Sequence, residues 1–346
     1  MIADKYRLIR KVGEGGMGAV WIAHNVTLDV PVAIKLIGDG REQDEHSERL
    51  VLEARAAAQL GHPAITRVFD FGRTEAGAPF IVMELLHGED LAAVLERRGS
   101  ISERRAVQTL LPVMHALAAA HDKGIVHRDL KPANIFLAQT DAGGVQPKLV
   151  DFGIAKLDTE DFRRLTRAGA ILGSPAYMSP EQARGEDVDA SADIWAVCVV
   201  LYEMIMGRPP FDGDNYNALL WAIGHDSPRP TSTQIGGDTA LWAILERGLQ
   251  KRKALRWNSM WELGTALAEW LDDRGVHEDI AGGSLLTNWL HRPVDSSAAF
   301  NSDSAPPRSA VDGALDGHPR EFASTMPELP AEEIVELSGP PWHKRR

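Results

Sequence analysis

Two carboxylates and one carboxamide stand close together in the middle of the chain. HRDLKPAN, residues 127–134, contains Asp129 and Asn134, and KLVDFG, residues 148–153, places Asp151 after an apolar run. Mg²⁺ prefers oxygen ligands and usually takes only one or two carboxylates beside the phosphates of its substrate. Asn134 and Asp151 can supply those ligands, which leaves Asp129 for an incoming hydroxyl group.

A lysine stands at the end of an apolar, strand-like run. VAIK, residues 32–35, ends on Lys35, and a bare ammonium group is costly to bury unless an anion pairs with it. The α- and β-phosphates of a nucleotide are suitable partners, and Glu53, midway along the following helix-like stretch, can supply a carboxylate. A solvated surface glutamate is the alternative interpretation of Glu53.

Three glycines lie between two strand-like runs near the N-terminus. Gly13, Gly15 and Gly18 belong to GEGGMGAV, residues 13–20. In a dinucleotide-binding fold this spacing opens a helix, whereas a turn between two strands would present backbone N–H groups to phosphate oxygens. Taken alone, the spacing also fits an ordinary glycine-rich hairpin, so the other motifs must decide.

The segments that position these motifs divide into a β-rich first part and a helical second part. Residues 6–37 carry three β-rich runs, and residues 48–60 show helical spacing that Gly61 and Pro63 close. RTEAGA, between two further strand-like runs, has the length and the glycine of a hairpin loop. Helices are then predicted over 102–124, with Pro112 bending the axis, and over 191–206, 214–225, 239–250 and 258–272.

The composition is that of an acidic globular protein. The formal net charge is −12, which argues against a general affinity for nucleic acid or for an anionic membrane surface. Cys198 is the single cysteine and cannot form an intramolecular disulfide. Since no apolar segment has the length of a secretory signal or a membrane anchor, we expect a cytoplasmic protein.

The composition changes near residue 275. From there to residue 346, Pro, Ser, Ala and Gly accumulate without sustained periodicity. Such a segment cannot bury enough apolar area to offset its ordering entropy, so a mostly disordered tail is predicted. Its amphipathic part, residues 285–290, either docks a partner, folds back on the rest of the chain, or belongs to a passive tail.

The glycine-rich loop, VAIK, HRDLKPAN and DFG occur in the order that is typical of one family. Over about residues 5–272 the chain resembles the eukaryotic-like, Hanks-type Ser/Thr protein kinases. The resemblance implies an α+β, bilobal protein-kinase-like fold. An antiparallel β N-lobe with one main helix would occupy residues 1–86 and bind ATP. A mostly helical C-lobe with the catalytic loop, activation segment and substrate groove would occupy 87–274, before the tail at 275–346.

The resemblance also implies catalytic roles. Asp129 would accept or orient the substrate hydroxyl, and Lys131 would neutralise charge that develops on the transferring γ-phosphoryl group. Lys35 would hold the α- and β-phosphates and pair with Glu53. The expected activity is transfer of the γ-phosphoryl group of Mg-ATP to Ser and Thr hydroxyls of proteins, with autophosphorylation of the activation segment and possible self-association for that step.

The ligand-binding positions follow from the same resemblance. Met83 would be the gatekeeper beside the adenine, backbone groups of Glu84 and Leu86 would bond the base, and Asp90 would reach the ribose. Asn134 and Asp151 would ligate Mg²⁺. The full set implied around ATP is Gly13, Gly15, Gly18, Val20, Ala33, Lys35, Glu53, Met83, Glu84, Leu86 and Asp90.

Several residues indicate the Ser/Thr branch and a structural frame. The lysine of HRDLKPAN and the segment GSPAYMSPE, residues 173–181, resemble that branch, whereas tyrosine kinases carry an alanine-arginine pattern after the catalytic aspartate. Glu181 is expected to pair with Arg256, and Asp193 to accept backbone N–H groups of the catalytic loop. Both contacts would be structural.

Regulation is predicted in the activation segment, residues 151–181. Arg128 precedes Asp129, a pairing that in this family marks kinases whose activation segment is ordered by phosphorylation. Phosphorylation of Thr166 would add about two negative charges that pair with Arg128 and with nearby arginines at 163, 164 and 167. The alternative is that Thr166 is a solvated loop residue, with Thr159 and Ser174 also nearby.

Two residues depart from the family pattern, and two rival functions also stay open.

Cys198 stands where a glycine is usual, and Ala57 is smaller than the usual leucine or methionine, which leaves a cavity that weakens the active position of its helix. One rival function is a pseudokinase scaffold that binds ATP and partners, although the chain retains the residues that such scaffolds usually lose, Lys35, Asp129, Asn134 and Asp151. The other is a small-molecule phosphotransferase with a similar catalytic loop.

Overall fold

The computed structural model describes residues 1–15, 18–36, 60–150, 175–231 and 237–291. An antiparallel five-stranded sheet comes first, and a mostly helical part with a small second sheet follows. This is the predicted α+β arrangement. Several predictions concern positions outside the described residues, namely those for Glu53, Ala57, Asp151, Thr159, Arg163, Arg164, Thr166, Arg167, Ser174 and residues 292–346.

The first sheet has the strand order β1-β2-β3-β5-β4, and every neighbouring pair is antiparallel. Because side chains alternate along a strand, Val32 and Ile34 join Phe80 and Tyr6 in a buried apolar cluster on one face. Lys35 therefore points to the opposite face. The strands are β1 Tyr6–Gly15, β2 Gly18–Asn25, β3 Val30–Leu36, β4 Val68–Arg73 and β5 Pro79–Met83.

The loop between β4 and β5 is a tight hairpin turn. The Thr74 N–H donates to the Ala78 carbonyl at 2.8 Å, and the Gly77 N–H donates to the Thr74 carbonyl at 2.8 Å. Gly77 has φ +86°, a conformation that glycine adopts without steric cost. The hairpin predicted from RTEAGA is confirmed.

Seven α-helices lie in the described residues after the first sheet. The helices predicted beyond residue 190 are confirmed, and each end lies within two residues of its predicted position. The helices are α1 Leu91–Arg98, α2 Glu103–His121, α3 Pro180–Arg184, α4 Ser191–Met206, α5 Tyr216–His225, α6 Thr239–Gly248 and α7 Met260–Asp272.

Helix α4 is the centre of the helical core. It is apolar around almost its whole circumference, which is the pattern of a helix buried on all sides. Trp195 stacks on Phe211 with ring centroids 5.5 Å apart. Cys198 is fully buried and faces Gly248 of α6, where an added Cβ would collide with the cysteine sulfur. A glycine at 248 therefore accommodates the larger side chain at 198.

A small sheet carries the loop that contains Asp129. Its strands are β6 Gly88–Asp90, β7 Ile135–Gln139 and β8 Val145–Leu149, in the order β6-β7-β8. The loop comes between α2 and β7 and ends in a 3₁₀ turn, Pro132–Asn134. Ile135 pairs with Leu149, so the start of β7 and the end of β8 are neighbours.

The folded unit does not end at residue 274. Leu285 and Trp289 are buried, and a short π-helix, Leu286–Leu290, packs against α7. The predicted start of the tail at 275 is thus too early, because residues 276–291 belong to the folded unit. The segment has no periodic apolar pattern, but the burial of two large apolar side chains is enough to hold it in place. Of the alternatives left open for residues 285–290, the structure shows the one that folds back.

No helix within the described ranges is long and apolar enough to cross a membrane.

Candidate active site

Asp129 and Lys131 contact each other directly. The Lys131 Nζ donates to Asp129 Oδ2 at 3.1 Å, and the two side chains are 24% and 15% exposed. A carboxylate that solvent still reaches can take a proton from a hydroxyl group, and the adjacent ammonium group can neutralise developing negative charge. The loop thus brings together the two side chains that the sequence placed two positions apart.

Asn134 is buried beneath this loop and holds its backbone. Its side-chain Nδ2 donates to the Asp129 backbone carbonyl at 2.8 Å, and its backbone carbonyl accepts the Val150 N–H at 3.1 Å. Since the amide nitrogen is bonded to the loop, the Oδ1 oxygen is turned the other way and can ligate a cation. The bond from Val150 brings the backbone just before Asp151 next to Asn134.

Asp193, near the start of α4, anchors the same loop from inside. Its carboxylate accepts the His127 N–H at 2.8 Å and the Arg128 N–H at 2.9 Å, as predicted, and the His121 Nε2 lies 2.7 Å away. Burial acts to raise the pKa of Asp193. The hydrogen bond from His121 and the other interactions with His121 and His127 outweigh it, so the pKa is held below its ordinary value.

Arg128 has a strained backbone that its neighbours hold in place. Its φ is +65°, in the left-handed region that costs a residue with a side chain about 1–3 kcal/mol. Its N–H is bonded to Asp193, and its carbonyl accepts the Gln182 Nε2 at 2.8 Å. The strained backbone of Arg128 sets the direction in which the side chain of the next residue, Asp129, points.

Gln182 also belongs to a capping box at the start of α3. The Ser179 hydroxyl accepts the Gln182 N–H at 3.4 Å, and the Gln182 Oε1 accepts the Ser179 N–H at 3.0 Å. One glutamine therefore joins the start of α3 to the Arg128 carbonyl, 54 residues away in the chain. The capping pattern is readable in the sequence, but the contact with Arg128 was not predicted.

Glu181 and Arg256 form a buried ion pair, as predicted. Both guanidinium nitrogens donate to the carboxylate at 2.7 Å, and the side chains are 2% and 0% exposed. Burial acts to raise the pKa of Glu181, but the hydrogen bond from Arg256 and the attraction of its charge hold it below its ordinary value. Because both side chains are shielded from solvent and bonded to each other, the pair is structural.

Tyr177, in the segment before α3, makes a contact that the sequence analysis missed. The Tyr177 hydroxyl donates to Glu203 Oε2 of α4 at 2.7 Å. Burial raises the pKa of Glu203 even though this hydrogen bond acts in the opposite direction. No spacing in the sequence relates the two residues, because only the packing of the segment on α4 brings them together.

Lys35 lies on the face of the first sheet opposite the apolar cluster. It is 7% exposed. In the antiparallel register Val20 lies opposite Lys35, and Ala33 lies opposite Met83. Directly opposite residues point to the same side of a sheet, so these four side chains share one face. This face can receive a nucleotide, with the ammonium group at one end of it.

The predicted adenine- and ribose-contacting residues follow β5. The Glu84 N–H donates to the Arg67 carbonyl at 3.0 Å, and its carboxylate accepts the Lys148 Nζ at 2.7 Å. Asp90 Oδ1 accepts the Ala93 N–H at 2.9 Å and so caps α1. Leu86 is partly buried on this connection. The Glu84–Lys148 ion pair, which the sequence analysis missed, ties β8 to the connection.

The glycine-rich segment connects the antiparallel strands β1 and β2 and does not open a helix. Gly13 pairs with Val20, and Gly15 pairs with Gly18, at the tip of β1 and β2. Gly18 has φ +131°, which glycine adopts readily. A Cβ at Gly13 would meet nothing within 4 Å, so neighbouring atoms do not require the glycine there. The context excludes the dinucleotide-binding interpretation.

A five-stranded antiparallel sheet followed by a mostly helical part that carries the Asp129 loop is the architecture of a protein kinase domain. The family model described as "Protein kinase domain" matches residues 6–271. The chain therefore belongs to the protein kinase domain family.

Named relatives support a bacterial Ser/Thr branch. The chain is 40% identical over 239 residues to a probable serine/threonine-protein kinase of Corynebacterium efficiens, with 68% of this chain and 36% of the relative covered. It is 41% identical over 263 residues to the serine/threonine-protein kinase pkn3 of Myxococcus xanthus, with coverages of 74% and 48%. For PknB of Mycobacterium tuberculosis the identity is 36% over 307 residues, with coverages of 87% and 47%.

A solved structure has the same fold. The crystal structure of a double mutant of the PknI kinase domain from Mycobacterium tuberculosis matches with a TM-score of 0.60 and 27% identity, covering 78% of this chain and 97% of that chain. The chain spans less than half the length of the curated relatives named above. Protein kinases use ATP with a divalent metal ion and act on protein substrates.

Proposed function

We propose that this chain is a Ser/Thr protein kinase that transfers the γ-phosphoryl group of Mg-ATP to Ser and Thr hydroxyls of proteins. The contact between Asp129 and Lys131 at 3.1 Å, on a loop whose backbone Asp193 and Asn134 both hold, carries the proposal. Phosphoryl transfer needs little beyond positioning and electrostatic stabilisation, and this loop provides both. The names of the relatives support Ser and Thr as acceptors.

Each side chain then has a defined part in the reaction. Asp129 orients the acceptor hydroxyl and takes its proton as the oxygen bonds to phosphorus and the bond from the γ-phosphorus to the leaving ADP oxygen breaks. Lys131 neutralises charge on the transferring group, and Lys35 holds the α- and β-phosphates. Gly13, Gly15 and Gly18 cover the phosphates with backbone N–H groups.

The rest of the proposed nucleotide site lies around the face that carries Lys35. The adenine lies against Val20 and Ala33, beside Met83, and bonds the backbone of Glu84 and Leu86. Because one oxygen of Asp90 already caps α1, only its other oxygen serves the ribose. Glu53, which lies outside the described residues, is the proposed partner of Lys35.

The donor set fits a magnesium ion. Asn134 turns its amide oxygen away from the loop, and its backbone carbonyl accepts the N–H of Val150, the residue before Asp151 in the sequence. The two residues offer one neutral and one anionic oxygen. Mg²⁺ supplies charge neutralisation on the phosphates when it is bound. These two residues are the proposed metal ligands.

The proposal includes an organisation and a mode of control. Residues 1–86 form the ATP-binding N-lobe, and the C-lobe begins at residue 87. Phosphorylation of Thr166 orders the activation segment through Arg128, in a reaction between two copies of the chain. The single cysteine and the use of ATP support a cytoplasmic location.

The test is phosphoryl transfer by the purified chain from γ-labelled ATP in the presence of Mg²⁺. We expect label on Ser and Thr, mapped by phosphoamino-acid analysis and mass spectrometry, and its loss in Asp129→Asn. Asp141→Asn is the matched control, because Asp141 is exposed in the turn between β7 and β8 and should leave the activity unchanged. ATP binding without any transfer in the parent chain would instead support a scaffold.

A further inference from the structure

The segment after α7 is built into the helical core although the family model ends before it. The match ends at residue 271, and Trp289 is only 3% exposed. Its ring lies edge-to-face against His115 of α2 and Trp261 of α7, with centroid distances of 5.6 and 5.2 Å. It also covers Gly264, where any Cβ would overlap the indole ring. The indole thus fills a site that a glycine leaves open.

Hydrogen bonds fasten the first half of this segment to α2. The Gln108 Nε2 donates to the Glu278 carbonyl at 2.9 Å, and the Ile280 N–H donates to the Gln108 carbonyl at 3.1 Å. Asp279 Oδ1 accepts the N–H groups of Ala281 and Gly283 at 2.8 and 2.9 Å and fixes the turn between the two halves. Residues 276–291 are therefore held at both ends.

His115, which Trp289 contacts, is bonded to a histidine in the loop before β4. The His62 Nε2 and the His115 Nδ1 are 2.7 Å apart, and the Ala64 N–H donates to the His62 Nδ1 at 3.1 Å. Since the His62 Nδ1 accepts a proton donor, the ring carries its hydrogen on Nε2 and donates it to His115. Both rings are then neutral and carry their hydrogen on Nε2. This assignment satisfies the hydrogen bonds at His62 Nδ1, His62 Nε2 and His115 Nδ1.

The loop that contains His62 is bonded directly to β8. The Leu149 N–H donates to the Ala64 carbonyl at 2.9 Å, and the Thr66 N–H donates to the Leu149 carbonyl at 2.9 Å. The Thr66 hydroxyl donates to the same carbonyl at 2.8 Å. Leu149 stands two residues before Asp151, the proposed metal ligand. The loop thus fixes the end of the strand that delivers this carboxylate.

We propose that Trp289, His115 and His62 form a positioning relay, through which the segment after α7 sets the loop of residues 61–66 and the end of β8 for phosphoryl transfer. The inference rests on the proposed kinase function and assigns a positioning role to a segment beyond the family match. The charged groups that face the relay are Asp279, beside His115, and Lys148, near His62. None of the three relay residues touches the reacting groups, so they act by positioning alone.

The first experiment compares the full chain with Trp289→Ala by backbone hydrogen exchange and by steady-state kinetics. We expect the peptides that cover residues 61–66 and 145–150 to exchange about tenfold faster in the variant, because the Thr66 and Leu149 amides lose support. We expect kcat to fall about tenfold while the KM for the acceptor protein changes less than about twofold. Trp221→Ala is the matched control, since Trp221 is 64% exposed on α5.

A second pair of variants keeps the test decisive if Trp289→Ala folds poorly. His115→Asn retains an acceptor near the position of Nδ1, whereas His115→Leu removes it. We expect the asparagine variant to keep the exchange rates and kcat of the parent chain and the leucine variant to lose both. Nitrogen NMR of the parent chain should show both rings as neutral Nε2–H tautomers at pH 7.

The outcomes separate the relay from the kinase proposal. If the parent chain transfers no phosphate, the kinase proposal fails, and the exchange rates still report on the contact between the loop and β8. If the parent chain is active and the relay variants keep both its exchange rates and its kcat, the relay is overturned. Faster exchange with unchanged kcat also overturns it, because the segment would then stabilise the fold without positioning the site.

Discussion

Replacing Asp193 by asparagine removes one charge from the inside of the catalytic loop and almost no volume. The carboxylate is 1% exposed and receives hydrogen bonds from the His127 and Arg128 N–H groups and from His121. Asparagine keeps one acceptor oxygen and turns an NH₂ group toward at least one of these donors. The variant therefore tests whether this anchor holds the loop, and not merely whether a side chain fills the space.

The expected destabilisation follows from these contacts. A hydrogen bond to a charged group contributes about 1.5–3 kcal/mol, and a buried donor left without an acceptor costs about 1–3 kcal/mol. Because His127 and His121 both reach Oδ2, an asparagine that keeps its oxygen there loses the Arg128 bond alone, and we expect a loss of about 3 kcal/mol. For a domain of this size, that corresponds to a fall in Tm of about 6–12 °C. Asp187→Asn, on an exposed carboxylate before α4, should change the unfolding free energy by less than about 0.5 kcal/mol.

The effect on activity should exceed the effect on ATP binding. Without the Asp193 anchor the strained Arg128 backbone, φ +65°, can relax and turn Asp129 away from the acceptor hydroxyl. We expect kcat to fall about 100-fold, equivalent to about 2.7 kcal/mol of transition-state stabilisation, with little change in the KM for ATP. Thermal unfolding and steady-state phosphoryl transfer measure the two effects. An Asp193→Asn chain with the parent Tm and a kcat within about threefold of the parent would refute the reasoning.

Three further predictions concern separate parts of the molecule. Lys35→Met should keep the fold and lower kcat/KM for ATP about 100-fold, measured by ATP titration of phosphoryl transfer, because the phosphates lose a cationic partner. Glu181→Gln should lower the unfolding free energy by about 3–5 kcal/mol in chemical denaturation, because Arg256 stays buried without its counter-ion. Burial lowers the pKa of His62 to about 4 and lowers that of His115, so the unfolded chain binds more protons than the folded chain between about pH 4 and 6.5. Stability should then fall on the order of 1 kcal/mol as the pH drops through that window, in denaturation curves taken at several pH values.

Each of these predictions has a clear contrary result, and the predictions for Glu181 and for the two histidines also have a control variant. Glu186→Gln breaks an exposed ion pair with Arg184 and should cost less than about 1 kcal/mol; equal losses in the Glu181 and Glu186 variants would contradict the role of burial. The pH effect should flatten when His62 and His115 are both replaced by non-titrating residues. If the double variant lost as much stability at low pH as the parent chain, groups other than His62 and His115 would be responsible for the effect. A Lys35→Met chain with the parent ATP dependence would remove Lys35 from the phosphate site.

Local patterns were sufficient for most elements. The apolar stretch from Ser191 to Met206 predicted α4 with both ends correct, since a helix buried on all sides needs only a continuous apolar run between its termini. The glycine and length of RTEAGA predicted the hairpin, because the required backbone conformation belongs to glycine. The pairs Glu181–Arg256 and Asp193 with the loop came from the family resemblance and not from spacing.

Other contacts could not be found in the sequence. Gln182 reaches Arg128, Tyr177 reaches Glu203, and the partners in each case are brought together only by packing. The segment of residues 276–291 was misjudged because its burial depends on Gly264 of α7, which leaves room for the Trp289 ring. Composition measures the average apolar content of a segment and not whether a complementary cavity exists elsewhere in the chain.

The sequence by itself determined the kinds of groups available for chemistry. Asp129, Lys131 and Asn134 stand within one short loop, so their proximity follows from chain connectivity. The tertiary structure decided how that loop is held, because Asp193 and Gln182 lie far from it in the chain and reach its backbone through hydrogen bonds. Short-range spacing fixes which side chains can meet, whereas the orientation of a carboxylate depends on a backbone that distant packed elements keep strained.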